Sequence, residues 1–141
     1  KNMSALTRIA EEHGHWIIRL QLATIFIFHG VIKIPMAEMM SQGMGMPIVG
    51  VYMLAVIEVL AGLGFLAGPF LGSLITRISG AITAVVMFSA IAMVHWPQWS
   101  FVASEAKAMG GMEFQLLVLL LGALFALRGN ELLSAAGSAS S

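Results

Sequence analysis

The sequence predicts an all-α fold: an integral membrane four-helix transmembrane bundle. Two observations lead there. Of 141 residues, 59% are hydrophobic and only 10% charged, with a mean hydropathy of +0.92, far more apolar than an ordinary soluble domain. Four long apolar stretches stand out: Trp16 to Ile34, Ile48 to Ala67, Leu71 to Val94, and roughly Met109 to Leu127. Each approaches or meets the roughly 20 residues that carry a helix across about 30 Å of hydrocarbon. The connections near Pro35 to Pro47, Gly68 to Phe70 and Trp96 to Lys107 leave no room for a second domain.

Residues 1–15, with Arg8, Glu11, Glu12, His13 and His15, read as a polar lead-in. They lack the early apolar core and small-residue cleavage site of a secretory signal. The transmembrane domain is expected over residues 16–129. The first span carries Arg19, His29 and Lys33, the second Glu58 near its middle, and the third Arg77 near its start and His95 at its end. Glu113 opens the fourth. The Ser/Ala/Gly-rich stretch 130–141 is expected to be a mobile tail.

Ionisable groups in hydrocarbon are costly, so each is a functional candidate. At about 100° per residue, Arg19 and Lys33 lie about 40° apart around the first helix, and His29 lies about 40° beyond Lys33. The three are expected to share one face, turned away from lipid. Glu58 stands about 15 Å from either face of the bilayer at 1.5 Å per residue, where a bare carboxylate must take up a proton or meet a cation such as Lys33 or Arg19. By depth, His29, Lys33, His95 and Glu113 gather in one half of the bundle with Glu58 beneath them. They form a candidate polar pocket. Arg19 and Arg77 are expected to be structural buried charges, with Arg77 free to pair with a headgroup or snorkel.

An even number of spans puts both termini on one side, with Lys1, Arg8, Arg19, Arg77 and Arg128; the other side holds Lys33 and Lys107. That asymmetry of five against two predicts cytoplasmic termini. Trp16 at one end, and Tyr52, Trp96 and Trp99 at the other, fit interfacial aromatic belts. The small-residue pairs Gly64/Gly68, Gly80/Ala84 and Gly122/Ala126 let helices approach closely, most simply within the bundle. Met36, Met39, Met40, Met44 and Met46 make the first loop an adaptable surface. The chain has no cysteine, which removes dithiol relays and thiolate-held clusters.

The run Arg19-Leu20-x-Leu22-x-x-x-Phe26-x-x-His29-Gly30-x-x-Lys33, then Glu58-x-x-x-Gly62-Leu63, Arg77, His95 and Gly111-x-Glu113, resembles the DoxX family of small four-helix membrane proteins. The likeness extends from Trp16 to Gly129, with Ala61 where the family often has a second glycine. What the resemblance implies is a multi-pass protein of the cell membrane (the cytoplasmic, or inner, membrane). It also implies association with quinone-linked oxidoreductases, since some members are subunits of thiosulfate:quinone oxidoreductase or terminal quinol oxidase and others are partners of redox-defence enzymes.

Three classes of function follow. The bundle could bind a quinone, with histidine and lysine on its carbonyl oxygens and Glu58 or Glu113 exchanging protons. It could be a non-catalytic accessory subunit whose buried charges fix helix register. It could be a small transporter or proton pathway centred on Glu58, although no inverted repeat is evident. Neither haem nor metal is expected, because His29 and His95 lie at different depths and the His13/His15 pair stands outside the membrane. The expected partners are membrane lipid and other membrane subunits or further copies of the chain. A nucleic-acid partner is not expected.

Overall fold

The computed structural model describes residues 9–10 and 13–133. Among them, every regular element is helical: α1 (His15–Lys33), α2 (Ala37–Met44), α3 (Ile48–Leu71), α4 (Ser73–Ala90) and α5 (Glu113–Arg128). A π-helical turn, Ile91–His95, continues α4, and a 3-10 turn, Gly129–Leu133, follows α5. Four segments are long and apolar enough to cross a membrane: His15–Lys33, Ile48–Leu71, Ser73–His95 and Glu113–Glu131. The chain is a four-helix membrane bundle.

Neighbouring spans pack in sequence order, α1 on α3, α3 on α4 and α4 on α5, with the short α2 lying against α3. The apolar core draws on three spans: Leu22, Ala23 and Phe26 of α1, Ala61 and Phe65 of α3, and Val118 and Phe125 of α5. Phe65 and Phe125 meet edge to face at 5.3 Å, an arrangement favoured by the ring quadrupoles. Many more large apolar side chains are exposed than buried, Ile17, Val85 and Leu127 among them. In water that distribution would be unstable; in a bilayer it is the lipid-facing surface.

Small residues set how near the helices come. A Cβ on Gly30 of α1 would stand 2.6 Å from the Ala55 carbonyl oxygen of α3, and one on Gly80 of α4 would stand 2.6 Å from the Gly122 carbonyl oxygen of α5. Backbone therefore touches backbone at both crossings. Gly64 and Gly68 likewise face Ser79 and Thr76 of α4. These small-residue positions lie inside the bundle.

Several expected boundaries move. The first connection contains α2, which ends at Gly45 in the left-handed region (φ 63°). The third span starts at Ser73, after Gly72 with φ 129° turns the chain. The fourth starts at Glu113, not near Met109, because Gly110 and Gly111 are drawn into backbone contact with Phe101 and Gln98. Residues 130–133, the start of the expected tail, lie in the 3-10 turn that follows α5. Asn130 is fixed by side-chain hydrogen bonds into the bundle end, as described below. Residues 1–8, 11–12 and 134–141, which hold most of the expected lead-in and tail, lie outside the described residues.

Candidate functional site

Lys33 and Glu58 make a buried ion pair. Lys33, in the last turn of α1, places Nζ 2.6 Å from Oε2 of Glu58 in the middle of α3. Their residues are only 7% and 3% exposed, so the pair is enclosed by protein and is not directly solvated by lipid headgroups. The close α1–α3 crossing at Gly30, one turn before Lys33, brings the two backbones near enough for the side chains to meet. Lys33 Nζ also donates to the His29 carbonyl oxygen at 3.1 Å. The pair satisfies the requirement that an intramembrane charge find a partner.

Of the two cations named for Glu58, Lys33 is the one it meets. Arg19 lies elsewhere, fully buried, and tethers the opposite end of the bundle. Its Nη1 donates to the Phe65 carbonyl oxygen and the Thr76 hydroxyl, each at 3.1 Å, and its Nη2 donates to Asn130 Oδ1 at 2.8 Å. The guanidinium carbon stands 4.9 Å from the centre of the Phe125 ring, a cation–π contact. Asn130 completes the knot by donating from Nδ2 to the Gly68 carbonyl oxygen and from its backbone N–H to the Ser73 hydroxyl. No carboxylate joins Arg19 among the described residues.

The reason Phe65 can accept is four residues along. Pro69 sits inside α3 and has no N–H, so the carbonyl at position 65 loses its intrahelical donor. Arg19 supplies one instead. This link between spans one and two is absent from the sequence-based expectations, although a proline four residues after a core aromatic is a visible signal. Thr76, Ser73 and Asn130 carry no comparable signal, being short polar residues with no spacing rule to connect them.

The expected sharing of one face by Arg19, His29 and Lys33 is corrected. Arg19 and Lys33 turn inward, whereas His29 is exposed on the side of α1 and meets the Phe28 ring edge-on. Three positions spread over about 80° do not all fit beneath one neighbouring helix, and His29 is at the margin.

Among the described residues no hydrogen bond or ion pair joins Lys33 or His29 to His95 or Glu113, the four residues of the expected pocket. His95 is 6% exposed and engages its own loop: Nδ1 lies 2.9 Å from the Gly110 carbonyl oxygen and Nε2 lies 3.0 Å from Gln115 Nε2. A carbonyl can only accept, so Nδ1 carries the hydrogen, and Nε2 accepts from the amide. At α-helical pitch His95 would stand about 120° from the buried Thr83. The wider Ile91–His95 turn slows that rotation and brings the ring inward. Glu113 is exposed and accepts from the Phe101 N–H at 3.3 Å.

Arg77 is also corrected: its side chain is 36% exposed. It donates to the Leu127 carbonyl oxygen at 2.6 Å and to Glu131 at 3.1 Å, satisfying the carbonyl end of α5. The structure therefore divides the seven candidates into a buried pair with His29 beside it, a knot around Arg19, a loop clasp at His95 and Glu113, and a helix cap at Arg77. Among the described residues no three metal-ligating side chains converge. A shallow apolar groove of about 440 Å³ on the outer face of α1, lined by Leu20, Thr24, Phe28 and Val31 with Leu66 of α3, contains none of the seven.

No characterised protein and no solved structure matches the chain significantly. The family model for DoxX matches residues 14–96, a stretch that includes the Lys33–Glu58 pair, Arg19, Pro69, Arg77 and His95 and so takes in three of the four spans. On that match and on the four-span architecture, this chain belongs to the DoxX family of membrane proteins.

Proposed function

We propose that this chain is a membrane subunit of a quinone-linked oxidoreductase, and that it offers the quinone headgroup a site at the Lys33–Glu58 end of α1. The observation that carries the reading is the exposed His29 one turn from the enclosed Lys33–Glu58 pair. A quinone ring presents two carbonyl acceptors, and it reaches proteins laterally through the lipid. His29 offers a ring donor on the lipid-facing surface. Lys33 has three N–H donors, of which Glu58 Oε2 and the His29 carbonyl oxygen engage two. His29 stands at the bundle surface, with the enclosed Lys33–Glu58 pair one turn behind it.

A bound quinone would supply a two-electron, two-proton acceptor. The chain's own contribution is to orient the ring through His29 and to hold an exchangeable proton between Lys33 Nζ and Glu58 Oε2. Electrons would come from a partner subunit, since the chain has no cysteine for a thiolate-held cluster.

The test is binding of a short-chain ubiquinone analogue to the protein in lipid nanodiscs, read by quenching of tryptophan fluorescence. His29→Leu is expected to weaken binding by about tenfold, equivalent to about 1.4 kcal/mol. Equal affinity in the wild type, His29→Leu and Lys33→Met/Glu58→Leu proteins would overturn the proposal. A second reading, an accessory subunit that only holds a complex together, draws on Arg19, whose bonds all serve to tie spans to one another. That reading predicts a stoichiometric partner in native mass spectrometry from mild detergent and no quinone binding by this chain.

A further inference from the structure

The connection between α4 and α5 is folded in an unusual sense: much of its backbone is paired within the segment, and its large apolar side chains point outward. Trp96, Trp99, Phe101, Val102 and Met109 are each more than half exposed. Much of the backbone beneath them is paired within the segment. Gly111 N–H donates to the Ser100 carbonyl at 2.7 Å, Met112 N–H to that of Gln98 at 2.9 Å and Glu113 N–H to that of Trp99 at 3.1 Å. The Gln98 amide donates to the carbonyl oxygens of Ser100 and Val102. Phe101 N–H reaches Glu113, and Val102 N–H reaches the Ser100 hydroxyl.

A loop standing in water gains nothing from this arrangement. Exposed apolar side chains on one small segment cost free energy there, and water would solvate the backbone without help. In the bilayer interface both features are favourable: apolar side chains leave water, and internally paired backbone avoids the cost of unsatisfied groups at low dielectric. The surface is continuous with lipid-facing side chains on either flank, Phe88 and Met93 before it and Phe114 and Leu117 after it. The ammonium of Lys107 is directed back to the Val94 carbonyl oxygen at 2.9 Å, capping the third span.

We propose that residues 96–112 form a preformed interfacial plate that lies in the headgroup–acyl boundary with Trp96, Trp99, Phe101, Val102 and Met109 inserted into lipid. Because His95 and Lys107 bind this loop to the end of the third span, the plate also fixes the depth at which that span end sits. The occupant of the apolar face is the bilayer itself, not a partner protein.

The absence of cysteine makes the test direct. Single cysteines at Trp99, Phe101, Val102 and Met109, with Glu105→Cys as the polar reference, are spin-labelled in phosphatidylcholine nanodiscs. Their relaxation is then compared with oxygen, which concentrates in lipid, and with a water-soluble nickel chelate. The expected result is an oxygen-to-nickel accessibility ratio severalfold higher at the four apolar positions than at Glu105. Nickel accessibility at all five positions would show a loop standing in water and overturn the proposal. Protection from both reagents would assign the face to a protein contact and overturn it equally. Tryptophan quenching in the Trp16→Phe protein gives a check without labelling: brominated acyl chains should quench Trp96 and Trp99 strongly and aqueous iodide weakly, and the reverse order counts against insertion.

Discussion

Pro69 and Arg19 show how a local defect at one residue is repaired by another distant in sequence. The proline leaves the Phe65 carbonyl without its helical partner, and the guanidinium of Arg19 fills that place while also reaching Thr76 and Asn130. Arg19→Leu should therefore destabilise the bundle by about 2 kcal/mol, the scale of a buried unsatisfied acceptor, as measured by unfolding in mixed micelles. Pro69→Ala restores an N–H four residues after Phe65, so the double variant should recover about 1 kcal/mol relative to the sum of the singles. Strict additivity would show that Arg19 and Pro69 are energetically unconnected. The Lys33–Glu58 pair makes a second prediction at this scale. Removing one partner leaves a buried charge alone, so Lys33→Met or Glu58→Leu should each cost about 3–5 kcal/mol. Replacing both should cost far less, within about 1–2 kcal/mol of the wild type. If the double replacement is as damaging as either single, the pair is not the unit that matters.

At the scale of elements, the crossings depend on missing side chains. On Gly80 an added Cβ would meet backbone atoms of α5, which cannot rotate aside. Gly80→Ala is therefore expected to cost about 1–3 kcal/mol through forced separation of α4 and α5. A Cβ added to Gly43 in α2 would meet nothing within 4 Å, and Gly43→Ala should be neutral or slightly stabilising. Circular dichroism melts of the two variants in one detergent make the comparison. A loss at Gly43 equal to that at Gly80 would mean helix packing is not the cause. The π-helical turn shows the other way an element positions a residue: by changing pitch over five residues it turns His95 toward Gln115 and Gly110. Nothing in Ile91–His95 announces such a turn, since its side chains suit an α-helix as well.

At the scale of the whole molecule, the bundle is apolar outside and polar at a few enclosed points. The basic residues predict cytoplasmic termini. Cysteine at Ser41 should react with an impermeant thiol reagent on intact cells, and cysteine at Ser138 should react only after lysis. The reverse pattern would mean an inverted orientation. The spans themselves were legible from length and apolarity, because a bilayer demands about 20 apolar residues per crossing whatever their neighbours do. The loops were less so. The folded segment before Glu113 rests on backbone contacts, such as Gly111 against Gln98, which composition does not encode.

The sequence by itself determined that the chain crosses a membrane four times and that its ionisable residues must find partners there, because hydrocarbon penalises an unpaired charge wherever it lies. For Glu58 it left a proton or a cation, with Lys33 and Arg19 as the cations named. Only the tertiary structure decided between them, since the choice of Lys33 depends on the α1–α3 crossing at Gly30 and not on depth alone. Depth placed His29, Lys33, His95 and Glu113 in one half of the bundle, yet azimuth separated them: His29 and Glu113 stand exposed, and His95 turns to its own loop. Periodicity along one helix says which residues share a face. Which neighbour covers that face is set by packing among all four spans.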